Sequence, residues 1–118
     1  MAQMQEAARQ LVEAKISGLN VASRDGDKLG HVNSLLVDKN SGQTVYAVLS
    51  LSGFLGLNKS YYPVPFHVLA YGVAEDDYVL TLDRRLLEGG PSWSNNPPDF
   101  DQSYADRVTS YYSSAPQV

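Results

Sequence analysis

The chain has 118 residues, with nine Lys+Arg against thirteen Asp+Glu and a formal charge of −4. Its length points to one domain, and 43% hydrophobic with 19% charged content suits a globular chain rather than a disordered one. There is no Cys, which excludes disulfide frameworks, thiolate metal sites and cysteine nucleophiles. No run approaches the roughly 18 apolar residues of a membrane-spanning helix. The acidic balance argues against direct nucleic-acid binding, which replaces counterions with clustered Lys and Arg.

Residues 1–15 have weak helical spacing, with Met4, Ala8 and Leu11 on one side. They are expected to form a helical or flexible extension, either a solvated helix or a docking one. Glu6 and Glu13 interrupt the segment and it has no apolar core of a secretory signal, so a cytoplasmic location is expected.

From Ile16 the apolar period changes to two. Leu19 and Val21 share one face, and the turn Arg24-Asp25-Gly26-Asp27 follows, with Asp-Gly as a hairpin signal. The next strand runs from Leu29 to Asp38. Val32 and Leu35 have opposite parity there, so a bulge is expected near Asn33-Ser34. A polar turn, Asp38 to Gly42, leads to the clearest alternation in the chain. Val45, Ala47, Leu49 and Leu51 are expected in the core, with Thr44, Tyr46, Val48, Ser50 and Ser52 on the opposite face.

The run from Gly53 to Ser60 is a loop carrying Phe54, Leu55 and Leu57 between glycines. Loops are ordinarily polar, so these side chains either plug a barrel end or form a contact patch for a partner. Tyr61-Tyr62-Pro63-Val64 resumes as a short strand, which Pro63 confines to an edge or to an outward-facing position. Pro65 suits the first position of a helical turn through Leu69. Residues 70–74 and 78–83 form a last hairpin. Asp83 is placed to cap a short helix, which Gly89-Gly90 and Pro91 end.

These are six short strands separated by turns, the spacing of a small barrel or sandwich. The fold class is therefore mainly β, with short helical turns and a C-terminal helix. Residues 16–93 form the domain, and residues 94–118 a linker and short helix. In that tail Ser103 with Asp106 resembles a capping box, and Tyr104, Val108, Tyr111 and Tyr112 follow helical spacing. This helix is expected to pack back on the barrel or on a second subunit.

No reaction can be named. His31 and His67 read as surface or hydrogen-bonded histidines, with no spacing that would complete a metal site. Asp38-x-Asn40-x-Gly42 begins like a calcium loop but has Gln43 where Gly is needed and Leu49 where Glu is needed. The carboxylates of Asp25/Asp27 and Glu75-Asp76-Asp77 fall in turns, where water screens them. No cofactor, metal or catalytic residue is expected, and the chain is not read as an enzyme.

The ordered set of motifs resembles the PRC-barrel domain. It comprises Gly18, the Asp25-Gly26-Asp27-Lys28-Leu29-Gly30-His31-Val32 stretch, and Leu36-Val37-Asp38 followed by Gly42. It continues through Tyr46-Ala47-Val48-Leu49-Ser50, Gly53-Phe54-Leu55-Gly56, Tyr62-Pro63-Val64-Pro65-Phe66 and Leu86-Leu87-Glu88-Gly89-Gly90-Pro91. The resemblance covers residues 16–93 and implies a small, strongly bent six-stranded barrel. The family includes the cytoplasmic domain of the photosynthetic reaction-centre H subunit and the C-terminal domain of a bacterial ribosome maturation factor. The likeness to both is in the barrel only. What it implies is a domain that docks proteins and carries no catalytic apparatus. Where the family often has Trp, this chain has Phe66, still large enough to plug a barrel end.

The expected function is a non-enzymatic interaction or assembly module of a bacterial type, self-associating, with a dimer as the first expectation. Phe54, Leu55, Leu57, Tyr61 and Tyr62 are the expected partner contacts. The alternatives are a small-ligand barrel and an accessory factor in ribosome or RNA processing. A barrel of six short strands should be filled by its own side chains, which weighs against the ligand reading.

Overall fold

The computed structural model describes residues 11–51, 60–72 and 76–114. Seven strands form one strongly curled sheet: β1 (Leu11–Lys15), β2 (Asn20–Ala22), β3 (Lys28–Asp38), β4 (Thr44–Leu51), β5 (Ser60–Pro65), β6 (Leu69–Gly72) and β7 (Asp77–Leu80). A 3-10 turn, Phe66–Val68, separates β5 from β6, and two helices follow, α1 (Arg84–Glu88) and α2 (Gln102–Ser114). The spatial order is β5-β4-β3-β2-β7-β6, with β1 also laid against β3. The end strands β5 and β6 do not pair with each other, so the sheet curls into a half-barrel. The Gly53–Leu57 loop, with Phe54, Leu55 and Leu57, lies outside the described residues.

β3 is the spine. Its eleven residues pair with β4 along one side and with β2 and β1 in succession along the other. The pairing with β4 shifts between Val32 and Ser34, so the expected bulge is present at Asn33. The shift sets Val32 opposite Leu49 and Leu35 opposite Ala47, so both come to one face as expected, while Ser34 and Leu36, opposite Val48 and Tyr46, are buried on the other. At Gly30 the β3 and β4 backbones approach so closely that an added Cβ would lie 2.0 Å from the Ser50 carbonyl oxygen. Gly30 also has φ +157°, and only a residue without a side chain fits there.

The structure differs from the sequence reading in four places. Residues 11–15, read as the end of a helical extension, form β1 and pair residue by residue with Ser34 to Asp38 of β3. Three apolar side chains at helical spacing do not outweigh a free edge on the spine strand that can satisfy a ladder of hydrogen bonds. Pro65 ends β5 with extended backbone and stands just ahead of the 3-10 turn, not inside it. The cap of α2 is Asp101, whose carboxylate accepts from the Tyr104 amide at 2.9 Å, rather than Ser103, which is helical. Asp83 does cap α1, accepting from the Arg85 amide at 2.8 Å.

The fourth difference concerns the core. Of the expected set, Ala47, Leu49 and Leu51 lie in it while Val45, near the strand's start, is only half-buried, and Tyr46, Val48 and Ser50 on the other face of β4 are buried too. The C-terminal region covers that second face. Tyr104 of α2 meets Tyr46 with ring centroids 6.2 Å apart, and Tyr104, Ala105, Val108 and Tyr112 are buried with the sheet residues. Of the two expected positions for this helix, against its own barrel or against a second subunit, it takes the first. Phe66 is half-buried and tilts against Tyr78 at 6.0 Å.

Candidate functional site

The barrel interior is packed with apolar side chains. Val21, Val32, Leu49, Val64, Val68, Leu80 and Leu87 fill it and are almost fully buried. Among the described residues no group of three or more His, Cys, Asp or Glu converges on a point. His31 and His67 are both exposed. The Asp38 carboxylate, the start of the calcium-like motif, accepts from the Asn40 amide at 2.8 Å and the Ser41 amide at 3.4 Å. This is a turn in which the side chain satisfies its own backbone. Asp25 and Asp27 are exposed in the β2–β3 turn, and Asp76 accepts a hydrogen bond from the Tyr71 hydroxyl.

Attention therefore falls on the sheet rim. At one end, β5 meets residue 93 in an isolated antiparallel bridge. The Tyr61 amide donates to the Trp93 carbonyl at 2.8 Å and the Trp93 amide to the Tyr61 carbonyl at 3.1 Å. Their rings stack at 5.8 Å with 20° between planes, and Trp93 leans on Phe100 at 5.7 Å and Tyr104 at 6.4 Å. The Asn/Pro-rich run after Pro91 was expected to be an irregular linker. It is irregular, but Trp93 and Phe100 make it a cover for the β5 edge. The only sequence signal was a lone Trp ahead of a Pro-Pro pair, and composition alone did not say what it would cover.

Of the five expected contact residues, the structure places two. Tyr61 is half-buried in this aromatic block. Tyr62 is only 9% exposed and belongs to the core, so in the free chain its ring is occupied inside its own fold. Phe54, Leu55 and Leu57 lie outside the described residues.

Between the block and β1 lies a cleft of about 300 Å³, lined by Glu13, Lys15, Asn33, Tyr61, Trp93, Ser94, Asn95, Pro97 and Phe100. Its polar wall is built from β1. Ser34, fully buried on β3, donates to a Glu13 carboxylate oxygen at 2.7 Å, and Lys15 approaches the same oxygen at 3.4 Å. Nearby, burial holds the Tyr46 hydroxyl well above the usual phenol range, with smaller contributions from Tyr104, Asp101 and Glu13. Tyr46 has no hydrogen-bond partner among the described residues, a structural cost rather than an activated acid.

Elsewhere on the rim, apolar side chains remain in water. Val12 on β1 is 46% exposed and Tyr71 on β6 is 49% exposed. Val12 pairs with Val37 and Ala14 with Leu35, so the even positions of β1 extend an apolar stripe from the spine to the sheet edge. The sequence reading missed this stripe because it treated β1 as helical.

No helix of the described residues is long and apolar enough to cross a membrane. No curated protein matches the sequence. The family model for the PRC-barrel domain matches residues 14–87, the span that holds the spine strand, the bulge and all the barrel strands beyond β1. With that match across more than half of its length, and with the curled sheet that it implies, the chain belongs to the PRC-barrel domain family.

Proposed function

We propose that the chain is a non-enzymatic interaction module that self-associates and docks a protein partner through its rim. The observation that carries this reading is the apolar surface left on the sheet rim, with Val12 and Tyr71 about half exposed on a domain whose interior is already filled. A PRC barrel is in general an interaction module rather than a catalytic one, and this chain belongs to that family. The proposed partner contacts are Phe54, Leu55, Leu57 and Tyr61, with Tyr62 supporting from the core.

Burying one such apolar side chain contributes about 1.5–3 kcal/mol, so a few of them support a weak interface after the cost of association. The expected setting is the bacterial cytoplasm.

Light scattering on the full chain over a range of concentrations tests self-association, and a mass above the monomer is expected. The double variant Phe54→Asp/Leu57→Asp is expected to keep its circular-dichroism spectrum while losing the partner that the native chain captures. A double variant that unfolds would mean that the loop plugs the barrel. A native chain that stays monomeric and captures nothing would overturn the reading.

A further inference from the structure

We propose that the outer edge of β1 is where two copies of this chain pair, antiparallel about a two-fold axis at Ala14. The proposal rests on the self-association reading above and gives it a surface and a register.

A free strand edge invites pairing unless something blunts it. The sheet has three edges to compare. β5 carries Pro63 and Pro65, and its rim is bridged by Trp93. β6 is four residues long, carries no charge that could select a register, and has its exposed Tyr71 tied to Asp76. β1 pairs with β3 on one side only, and it has neither proline nor bulge. Among the described residues no strand lies on its other side.

The ladder fixes which β1 groups face outward. The Ile16 amide donates to the Asn33 carbonyl, and residues 16 and 33 are opposite in the register that pairs Lys15 with Ser34. Backbone groups alternate along an antiparallel strand, so those of Ile16, Ala14 and Val12 turn toward β3. The amides and carbonyls of Leu11, Glu13 and Lys15 then turn away from it, toward the open edge.

A second β1 can use those groups only in registers that place odd residues opposite odd residues. Centring the axis on Glu13 sets Glu13 against Glu13, and centring it on Lys15 sets Lys15 against Lys15. Both juxtapose like charges. Centring it on Ala14 sets Glu13 of each copy against Lys15 of the other, with their outward backbone groups hydrogen-bonded. The same register puts Val12 opposite Ile16 and Ala14 opposite Ala14 on the other face. The half-exposed Val12 is thereby covered, and the apolar stripe runs unbroken across the axis. Among the registers centred on residues 13 to 15, charge and apolar pattern select the same one, and a two-fold contact of this kind closes at a dimer.

The register makes a cross-linking experiment selective. Ala14 would face its own copy at a non-hydrogen-bonded pair, with Cα atoms about 4.5 Å apart, inside the roughly 4.4–6.8 Å span of disulfides. The chain has no cysteine to compete. In a glutathione redox buffer Ala14→Cys is expected to form a covalent dimer, and Val12→Cys, opposite Ile16, is not.

A charge swap gives an independent readout. Glu13→Lys and Lys15→Glu each place like charges across the axis, and each is expected to weaken the dimer at least about tenfold in sedimentation equilibrium. Mixed together, the two variants are complementary and should form a heterodimer. Glu13 also accepts the Ser34 hydroxyl, so a single variant can lose fold stability as well, but recovery on mixing requires the contact itself. A native dimer that neither cross-links at Ala14 nor responds to the swaps would overturn the β1 contact and leave self-association to another surface. A native chain that is monomeric at every concentration would overturn both.

Discussion

Two edges of the sheet, those of β5 and β1, meet the same physical problem in opposite ways. β5 ends in unpaired backbone groups, and the chain folds its own tail over them. Pro63 and Pro65 remove donors, Trp93 pairs with Tyr61, and α2 buries the face behind. β1 also ends in unpaired backbone groups, and among the described residues nothing of this kind covers it. Its defence is one acid and one base, which repel a second β1 in neighbouring registers and attract it in one. An edge closed from within stabilises the monomer, whereas an edge left open with patterned charge is available for assembly.

The β3–β4 seam is the common support of both edges. The largest expected effect is therefore on that seam. Gly30→Ala pushes a Cβ into the Ser50 carbonyl and should cost about 3 kcal/mol in urea unfolding, loosening both edges at once. If this variant left stability unchanged, the backbones would not be as close as described.

A smaller effect should separate the edges. Trp93→Ala removes the cover of β5 and the stack on Tyr61, and should cost about 2 kcal/mol because the indole is only half-buried. Hydrogen exchange should accelerate at the Tyr61 amide and stay unchanged on β1. Acceleration on both strands would mean that the edges are not independent.

The smallest effect concerns the layer beneath α2. Tyr46 and Tyr112 have phenols raised above their usual range, chiefly by burial. Both stay neutral below about pH 10, so stability there is flat with respect to these groups. Above that pH the unfolded chain releases its phenolic protons first, and stability falls as pH rises. Tyr46→Phe removes a buried hydroxyl with no partner among the described residues. It should change stability by no more than about 1 kcal/mol at neutral pH and make the alkaline decline shallower. A steeper decline would place the titrating group elsewhere.

Much of this was legible in the chain. Period-two alternation located β4, the parity break between Val32 and Leu35 located the bulge, and Asp-Gly with the Asp38 turn located two hairpins. The motif order from Gly18 to Pro91 identified the barrel. What was hidden depends on long-range pairing. The chemistry of residues 11–15 is compatible with helix or strand, and only the vacant side of β3 selects strand. The second burial of β4 was equally hidden, because Tyr46 and Val48 alternate like any solvent face until Tyr104 arrives from more than fifty positions away. Asp101 was passed over as a cap for the same local reason: Ser103 and Asp106 offered a better-known pattern three residues apart. The rim site shares this character. Glu13 and Lys15 acquire meaning only once their strand has an open edge.

Concentration-dependent hydrogen exchange at single-amide resolution tests the contrast between the two edges most directly. The Tyr61 amide, bonded to Trp93, should be protected at every concentration, whereas the outward Glu13 and Lys15 amides should exchange fast when dilute and slow markedly as the chain is concentrated. Glu13 and Lys15 amides that exchange at one rate from dilute to concentrated solution, in step with a constant monomer mass, would contradict it.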